Sequence, residues 1–277
     1  MTDKPLLETQ TAEETSDGEG VSIRRSLGLR PSRWHDPFLL LDEFYSNGPD
    51  AGPGFPDHPH RGFSTLTYMI KGHMNHADNK GNAGRVGPGG FQWMTAGKGI
   101  IHSERPEVEE DGMRGMQLWV NLPGSLKMRE PFYINGEAED VPEVKIDGGS
   151  VRVLGGKFEG QTGPITDDVT ELVYFDVQLE GNGTFSAPLP EGHNALFYTI
   201  DGEVEYTASD KGPLPAYTLG LLDKGEQVKF KAGSGGARFV LIAGKPLREP
   251  IARHGPFVMN TREEIEKAIS DYQGGLF

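Results

Sequence analysis

Five of the eight histidines lie between positions 58 and 102. His58-Pro59-His60 stands at the mouth of a strand-like run, and about forty residues later GKGIIHSERP carries His102 and Glu104, again two apart. Side chains at i and i+2 of a strand point to one face, so each pair aims two donors the same way. Three imidazole nitrogens and one carboxylate suit a borderline first-row divalent ion such as iron, manganese, copper, nickel or zinc. Four protein ligands leave an octahedral ion with open positions for substrate or dioxygen. The other histidines lack this arrangement. His73 and His76 are three apart after what reads as a hairpin turn, so a strand would point them to opposite faces; they read as surface or hydrogen-bonding residues. His35, His193 and His254 have no companion donor at ligand spacing and read as structural.

The rest of the sequence narrows the chemistry. There is no cysteine, which excludes disulfides, thiolate nucleophiles and Cys-ligated clusters. A net charge of −14 disfavours nucleic acid and anionic membrane as partners. The first twenty residues, MTDKPLLETQTAEETSDGEG, are acidic and lack the apolar core of a secretory signal. They read as a flexible tail, no apolar run is long enough to span a bilayer, and a cytoplasmic protein is expected. Arg24, Arg25, Arg30 and Arg33 in VSIRRSLGLRPSRW could form a docking face for a protein partner; the plainer expectation is that they pair with the acidic remainder.

The elements that must position the donors are strands. With 39 Gly and 20 Pro the chain favours turns over long helices. Strand-like segments occur at 63–70, 91–95, 116–122, 151–156, 171–179, 194–200, 203–208, 217–222, 227–232 and 238–244, most of them alternating and bounded by turn residues. The fold class expected is all-β, as sandwich or barrel. One helix is expected, at the end: Thr261 and Glu264 form a capping box, Ile265, Ala268, Ile269 and Tyr272 repeat at helical spacing, and Gly274-Gly275 stop it. LTYMIKGHMNH (66–76) and LFYTIDGEVEY (196–206) share a strand, a turn ending in Gly and a second strand, and WMTAGKG (93–99) is similar to GLLDKGE (220–226). The offsets, 130 and about 127, indicate two copies of one β-domain joined near residues 135–150.

The runs PDHPHRGFSTLTYMIKG, QWMTAGKGIIHSE, MQLWVNLP and GPFVMNTREEIEKAISDYQ, taken together, resemble the pirins of the cupin superfamily, and the resemblance covers roughly residues 22–275. It implies a bicupin: two face-to-face jelly-roll-type barrels with a C-terminal helix, divided as a 1–20 tail, a 21–140 metal-binding barrel and a 141–277 metal-free barrel carrying the helix. The implied ligands are His58, His60, His102 and Glu104, holding one divalent metal, with iron the first expectation and copper, manganese, nickel, cobalt and zinc as alternatives. At the 130 offset His58 and His60 become Pro188 and Pro190, which is why the second barrel is expected to lack a metal. Some pirin-like proteins are similar to quercetin 2,3-dioxygenases. That implies flavonol ring opening by dioxygen with release of carbon monoxide, Glu104 acting as general base. Phe55, Phe63, Trp93 and Met94 would either line the pocket for a flat substrate or belong to the core. The competing expectation is a non-enzymatic, metal-dependent or redox-sensing regulator of transcription or metabolism that binds a protein partner. A monomer is expected in either case.

Overall fold

A computed structural model describes residues 1–28 and 35–277. The chain forms two compact units, and neither is a continuous stretch. One comprises Glu14–Arg25, Phe38–Glu139 and Leu247–Phe277; the other comprises Met1–Glu13, the described part of Ser26–Pro37, and Asp140–Pro246.

The first unit holds His58, His60 and His102. Its larger sheet runs, in spatial order, Phe132–Gly136, Phe91–Thr95, Phe63–Lys71, Met113–Asn121, Phe38–Ser46, Val21–Leu27 and Glu13–Asp17. Its smaller sheet runs Phe55–His60, Ile100–Glu107, His73–Asp78 and Ala83–Val86. Phe63–Lys71 joins the two chemically. Leu66 and Tyr68 lie buried on one face, while Phe63, Thr65, Thr67 and Met69 lie buried on the other, from which Thr67 reaches Glu104 of the smaller sheet. The chain enters and leaves this strand through glycines in the left-handed region. At Gly62 (φ 90°) a Cβ would stand 2.0 Å from the Val258 carbonyl, and at Gly72 (φ 68°) 2.8 Å from Met113 Cβ. Only Gly tolerates both the dihedral and the approach. Gly72 therefore makes a corner between sheets, where a hairpin turn was expected.

The second unit repeats the ladder. Phe91–Thr95, Phe63–Lys71, Met113–Asn121 and Phe38–Ser46 have as counterparts Thr218–Leu222, Asn194–Tyr206, Gln227–Gly244 and Val173–Leu179, in the same order. Leu66 faces Trp93 in one ladder, and Leu196 faces Leu221 in the other. The second copy differs at the corner. The expected strands 194–200 and 203–208 are one strand, Asn194–Tyr206, in which Gly202 (φ 70°) forms part of a bulge with register shifts on either side. The segments 227–232 and 238–244 likewise merge. Short polar strands such as Glu13–Asp17 and Ala83–Val86 escape sequence reasoning because they lack an apolar alternation.

Two expectations about the ends are corrected. The acidic N-terminus is not a free tail: Leu6–Thr11 pairs antiparallel with Thr218–Leu222 and edges the second unit's sheet. Backbone pairing needs no apolar composition, so acidic residues can form an edge strand. The helix Arg262–Gln273, with its Thr261–Glu264 capping box as expected, belongs to the histidine-bearing unit rather than to the second one. There Ile265 and Ala268 pack with Phe257, Met259 and Phe277, and Arg61 pairs with Asp271 at 2.8 Å. Among the described residues no helix is long and apolar enough to cross a membrane.

Lys127 fastens the C-terminal segment to the same unit. Its buried Nζ donates to Gly62 O (2.8 Å), Asn121 Oδ1 (2.6 Å) and Val258 O (3.0 Å). Burial lowers its pKa to about 8, against opposing attraction from Glu249 and Glu264. The folded chain releases this proton more readily than the unfolded chain, so the charged form costs stability below about pH 8 and the cost fades as pH rises toward 10.5. Urea unfolding of wild type and Lys127→Met at pH 8 and pH 10 should show the wild type gaining relative stability with pH, by about 2 kcal/mol. A difference that stays flat would mean Lys127 is not a buried cation.

Candidate metal centre

His58 and His60 lie on Phe55–His60, the edge strand of the smaller sheet. An edge position is what lets this strand carry Pro56 and Pro59, which cannot donate to a ladder on both sides. Its antiparallel partner is Ile100–Glu107, in a register that sets His58 opposite His102 and His60 opposite Ile100. The expected i, i+2 pairs thus share a face on two neighbouring strands. One ligand nitrogen from each of His58, His60 and His102 lies within 4.8 Å of the others. His58 Nε2 and His60 Nε2 are 3.1 Å apart, and the ring centroids of His102 lie 4.4 Å from His58 and 5.0 Å from His60.

This crowding has an electrostatic consequence. His60 and His102 are buried, at 4% and 2% exposure. Burial pushes both far below the usual imidazole range. The neighbouring imidazoles push the same way: His102 and His58 on His60, His58 and His76 on His102. The Pro256 carbonyl opposes the shift at His60, and Asp78 opposes it at His102. His60 and His102 are therefore held neutral, the form that binds a metal. Neither ring nitrogen of His102 has a hydrogen-bond partner within the protein. Unpaired buried donors and acceptors are costly, and a metal ion would satisfy one of them. The donor set fits a first-row divalent ion.

Glu104 is close by but is not one of the gathered donors. It lies two residues beyond His102, at 4% exposure, opposite His76 in the ladder. Its carboxylate accepts hydrogen bonds from Gln117 Nε2 at 3.3 and 3.4 Å, and Thr67 Oγ1 lies 3.3 Å from Oε1. Burial raises its pKa, against the opposing influences of His58, Thr67 and Gln117. Thr67 and Gln117 escape sequence reasoning because they come from two strands of the other sheet and carry no spacing signal. Of the two alternatives expected for His76, surface or hydrogen-bonding, the surface one is overturned: it is buried, with its ring stacked on Tyr133 at 5.7 Å. The physical reason is that Gly72 sends His73–Asp78 into the smaller sheet, which turns His76 toward Glu104.

The cluster opens on a pocket of about 560 Å³ formed within this unit, with Phe55, Glu104, Gln117, Trp119 and Arg253 in its wall. Of the four aromatic or apolar candidates, Phe55 lines this pocket. Phe63, Trp93 and Met94 are buried, and Phe63 packs against His60 and Trp119. Trp119, which carried no signal of its own in the sequence, sets its ring 5.2 Å from His60.

Two of the four arginines considered for a docking face are engaged within the protein. Arg24 pairs with Glu14 and Glu43, and Arg25 with Asp17 and Asp42. These guanidiniums are committed to internal carboxylates, as the plainer expectation had it. Arg30 and Arg33 lie outside the described residues.

Comparison with known proteins gives this architecture its relatives. The family profile Pirin matches residues 20–120, and the profile Pirin C-terminal cupin domain matches residues 174–277. The chain belongs to the pirin family. This pirin is 45% identical over 280 residues to a Pseudomonas aeruginosa protein provisionally named a quercetin 2,3-dioxygenase, covering 99% of this chain and 98% of that one. It is also 45% identical over 277 residues to a pirin-like protein of Caulobacter vibrioides, covering 99% of each. Its fold matches the crystal structure of a quercetin 2,3-dioxygenase from Acinetobacter baumannii with a TM-score of 0.92 at 33% identity, covering 99% of this pirin and 98% of that chain. Both units are cupin domains.

The three-imidazole cluster makes a direct prediction. His58→Ala and His102→Ala should each lower the metal content of purified protein, measured by elemental analysis, while circular dichroism still reports a folded β-protein. Unchanged stoichiometry in either variant would remove these residues from the metal site.

Proposed function

We propose that this pirin is a metal-dependent dioxygenase acting on a flavonol of the quercetin type. The observation that carries the reading is the convergent His58–His60–His102 cluster at the head of a pocket large enough for a flat polyphenol. Its likeness along the whole chain to a solved quercetin 2,3-dioxygenase supports the same reading. A divalent transition ion held by the three imidazoles, with Glu104 as fourth donor, supplies Lewis acidity toward an enolic hydroxyl and the redox capacity that dioxygen chemistry needs. Iron is the ion we favour on the donor set and the family resemblance.

The protein's own residues do the rest. Glu104 takes the proton of the flavonol 3-hydroxyl, and the burial that raises its pKa suits it to hold that proton while the ring is opened. Its hydrogen bonds with Gln117 and Thr67 are long, so the carboxyl can turn toward the imidazoles without breaking a strong contact. Trp119 and Phe55 flank the entering ring and displace water from around the imidazoles.

The test mixes quercetin, under air, with protein loaded in turn with iron, copper, manganese, nickel and cobalt, and follows loss of flavonol absorbance and release of carbon monoxide. Turnover is expected with at least one ion; silence with all five would defeat the proposal. Glu104→Gln should cut the rate by about 10²–10⁴-fold, the usual worth of a general base, while elemental analysis still finds metal. A variant at full rate would show that Glu104 is not the base.

A further inference from the structure

The pocket wall contains two arginines in very different states. Arg25 is fully engaged: its Nε and Nη2 donate to Asp42 at 3.0 and 2.7 Å, and Nη2 also reaches Asp17 at 3.1 Å. Arg253 has no carboxylate within 4 Å among the described residues. It donates once, from Nη1 to the Leu39 carbonyl at 3.3 Å, and its guanidinium carbon lies 5.0 Å from the centroid of the Trp119 ring. An arginine presents five N–H donors in a rigid fork, so most of this fork is unspent. The side chain is solvent-accessible but hemmed in, and the nearby Arg25 charge adds to the cost of keeping it cationic, with Asp42 opposing. These two contacts hold an exposed cation in the pocket wall with most of its donors unspent.

Its distance from the metal donors is bounded. The Trp119 ring that carries Arg253 is itself 5.2 Å from the His60 ring, so guanidinium and imidazole are at most about 10 Å apart. That interval is spanned by one benzene ring bearing a chelating group at one end and an anion at the other. The pocket wall also carries Asp17, Glu19, Asp42, Asp57 and Glu104, of which Asp17 and Asp42 are paired with Arg25. Glu19 and Asp57 are exposed on the rim, where water screens them.

We propose that Arg253 is a specificity-determining residue that receives a carboxylate on an aromatic substrate whose vicinal oxygens face the imidazole cluster. The inference rests on the metal site proposed above and adds aromatic acids as a further substrate class beside the flavonol. The carboxylate is bound by the free edge of the fork, while Trp119 packs against the ring.

The matched probes are 3,4-dihydroxybenzoate and catechol, which share the vicinal diol and differ by the carboxylate. Each is titrated calorimetrically into nickel(II)-loaded protein under nitrogen, so that neither is consumed. The wild type should bind the acid about tenfold or more tightly than catechol, as charge-assisted hydrogen bonds allow. The preference should shrink when salt is raised from about 0.05 M to 0.5 M. Arg253→Gln should bring the ratio to about one while leaving catechol affinity within about twofold, and Arg253→Lys should keep part of the preference. Thermal melting checks that both variants fold, and the salt series on wild type stands should either fail to do so. Equal binding of the two probes by wild type, no binding of either, or a preference that survives Arg253→Gln would overturn the proposal. The outcome is separable from the oxygenase reading: a protein silent toward quercetin can still show the carboxylate preference, and an active one can lack it.

Discussion

The site depends on one register. Phe55–His60 and Ile100–Glu107 pair so that His58 stands opposite His102. A slip of one residue would turn every side chain of one strand to the other face, and the three nitrogens would no longer converge. The sheet pays for this convergence in electrostatics, because burial and neighbouring imidazoles together disfavour charge on His60 and His102. Much of the surrounding architecture secures that register. Gly62 carries the chain out of the edge strand, Lys127 holds the Gly62 carbonyl, and Arg61 is clamped to Asp271 of the terminal helix.

The second unit builds the same ladder around a different interior. Its strand order reproduces the first, but Thr184–Pro188 and the start of Gln227–Gly244 pair Phe185 with Phe230 in register. These two rings join Phe158, Phe175, Phe197, Tyr206 and Phe239 in one buried aromatic cluster. Apolar burial there stabilises the unit at no electrostatic cost, whereas the first unit gives up packing around its histidines to keep a pocket. One architecture thus supports both a packed core and a reactive cavity, depending on a few inward-facing positions.

Much of this was legible in the sequence. The two i, i+2 donor pairs, the duplicated β-pattern and the capping box on the terminal helix all rest on short-range periodicity, which a single chain displays directly. Three things were hidden. Thr67, Gln117 and Trp119 approach the site across sheets, and no local spacing announces such a contact. Arg253 lies about 150 residues from the nearest histidine of the cluster and owes its place to a short strand, Ala252–His254, with no apolar signature. The third was the exchange of ends. An acidic N-terminal strand and a C-terminal helix join units remote from them in sequence, and sequential reading assigns each to its neighbour.

That exchange bears on how the chain comes to be folded during synthesis. Leu6–Thr11 is made some two hundred residues before its partner Thr218–Leu222. Arg61 waits as long for Asp271. Loop closure over such separations is slow, and the usual order, in which an N-terminal domain is finished before the next begins, is not open to this chain. The histidine-bearing barrel and its companion must mature almost together, after most of the polypeptide has been made. In the meantime the N-terminal strand is an unpaired edge, and its exposed acidic residues, Glu8 and those of Glu13–Asp17 just beyond it, are the feature that keeps it from pairing with the wrong neighbour.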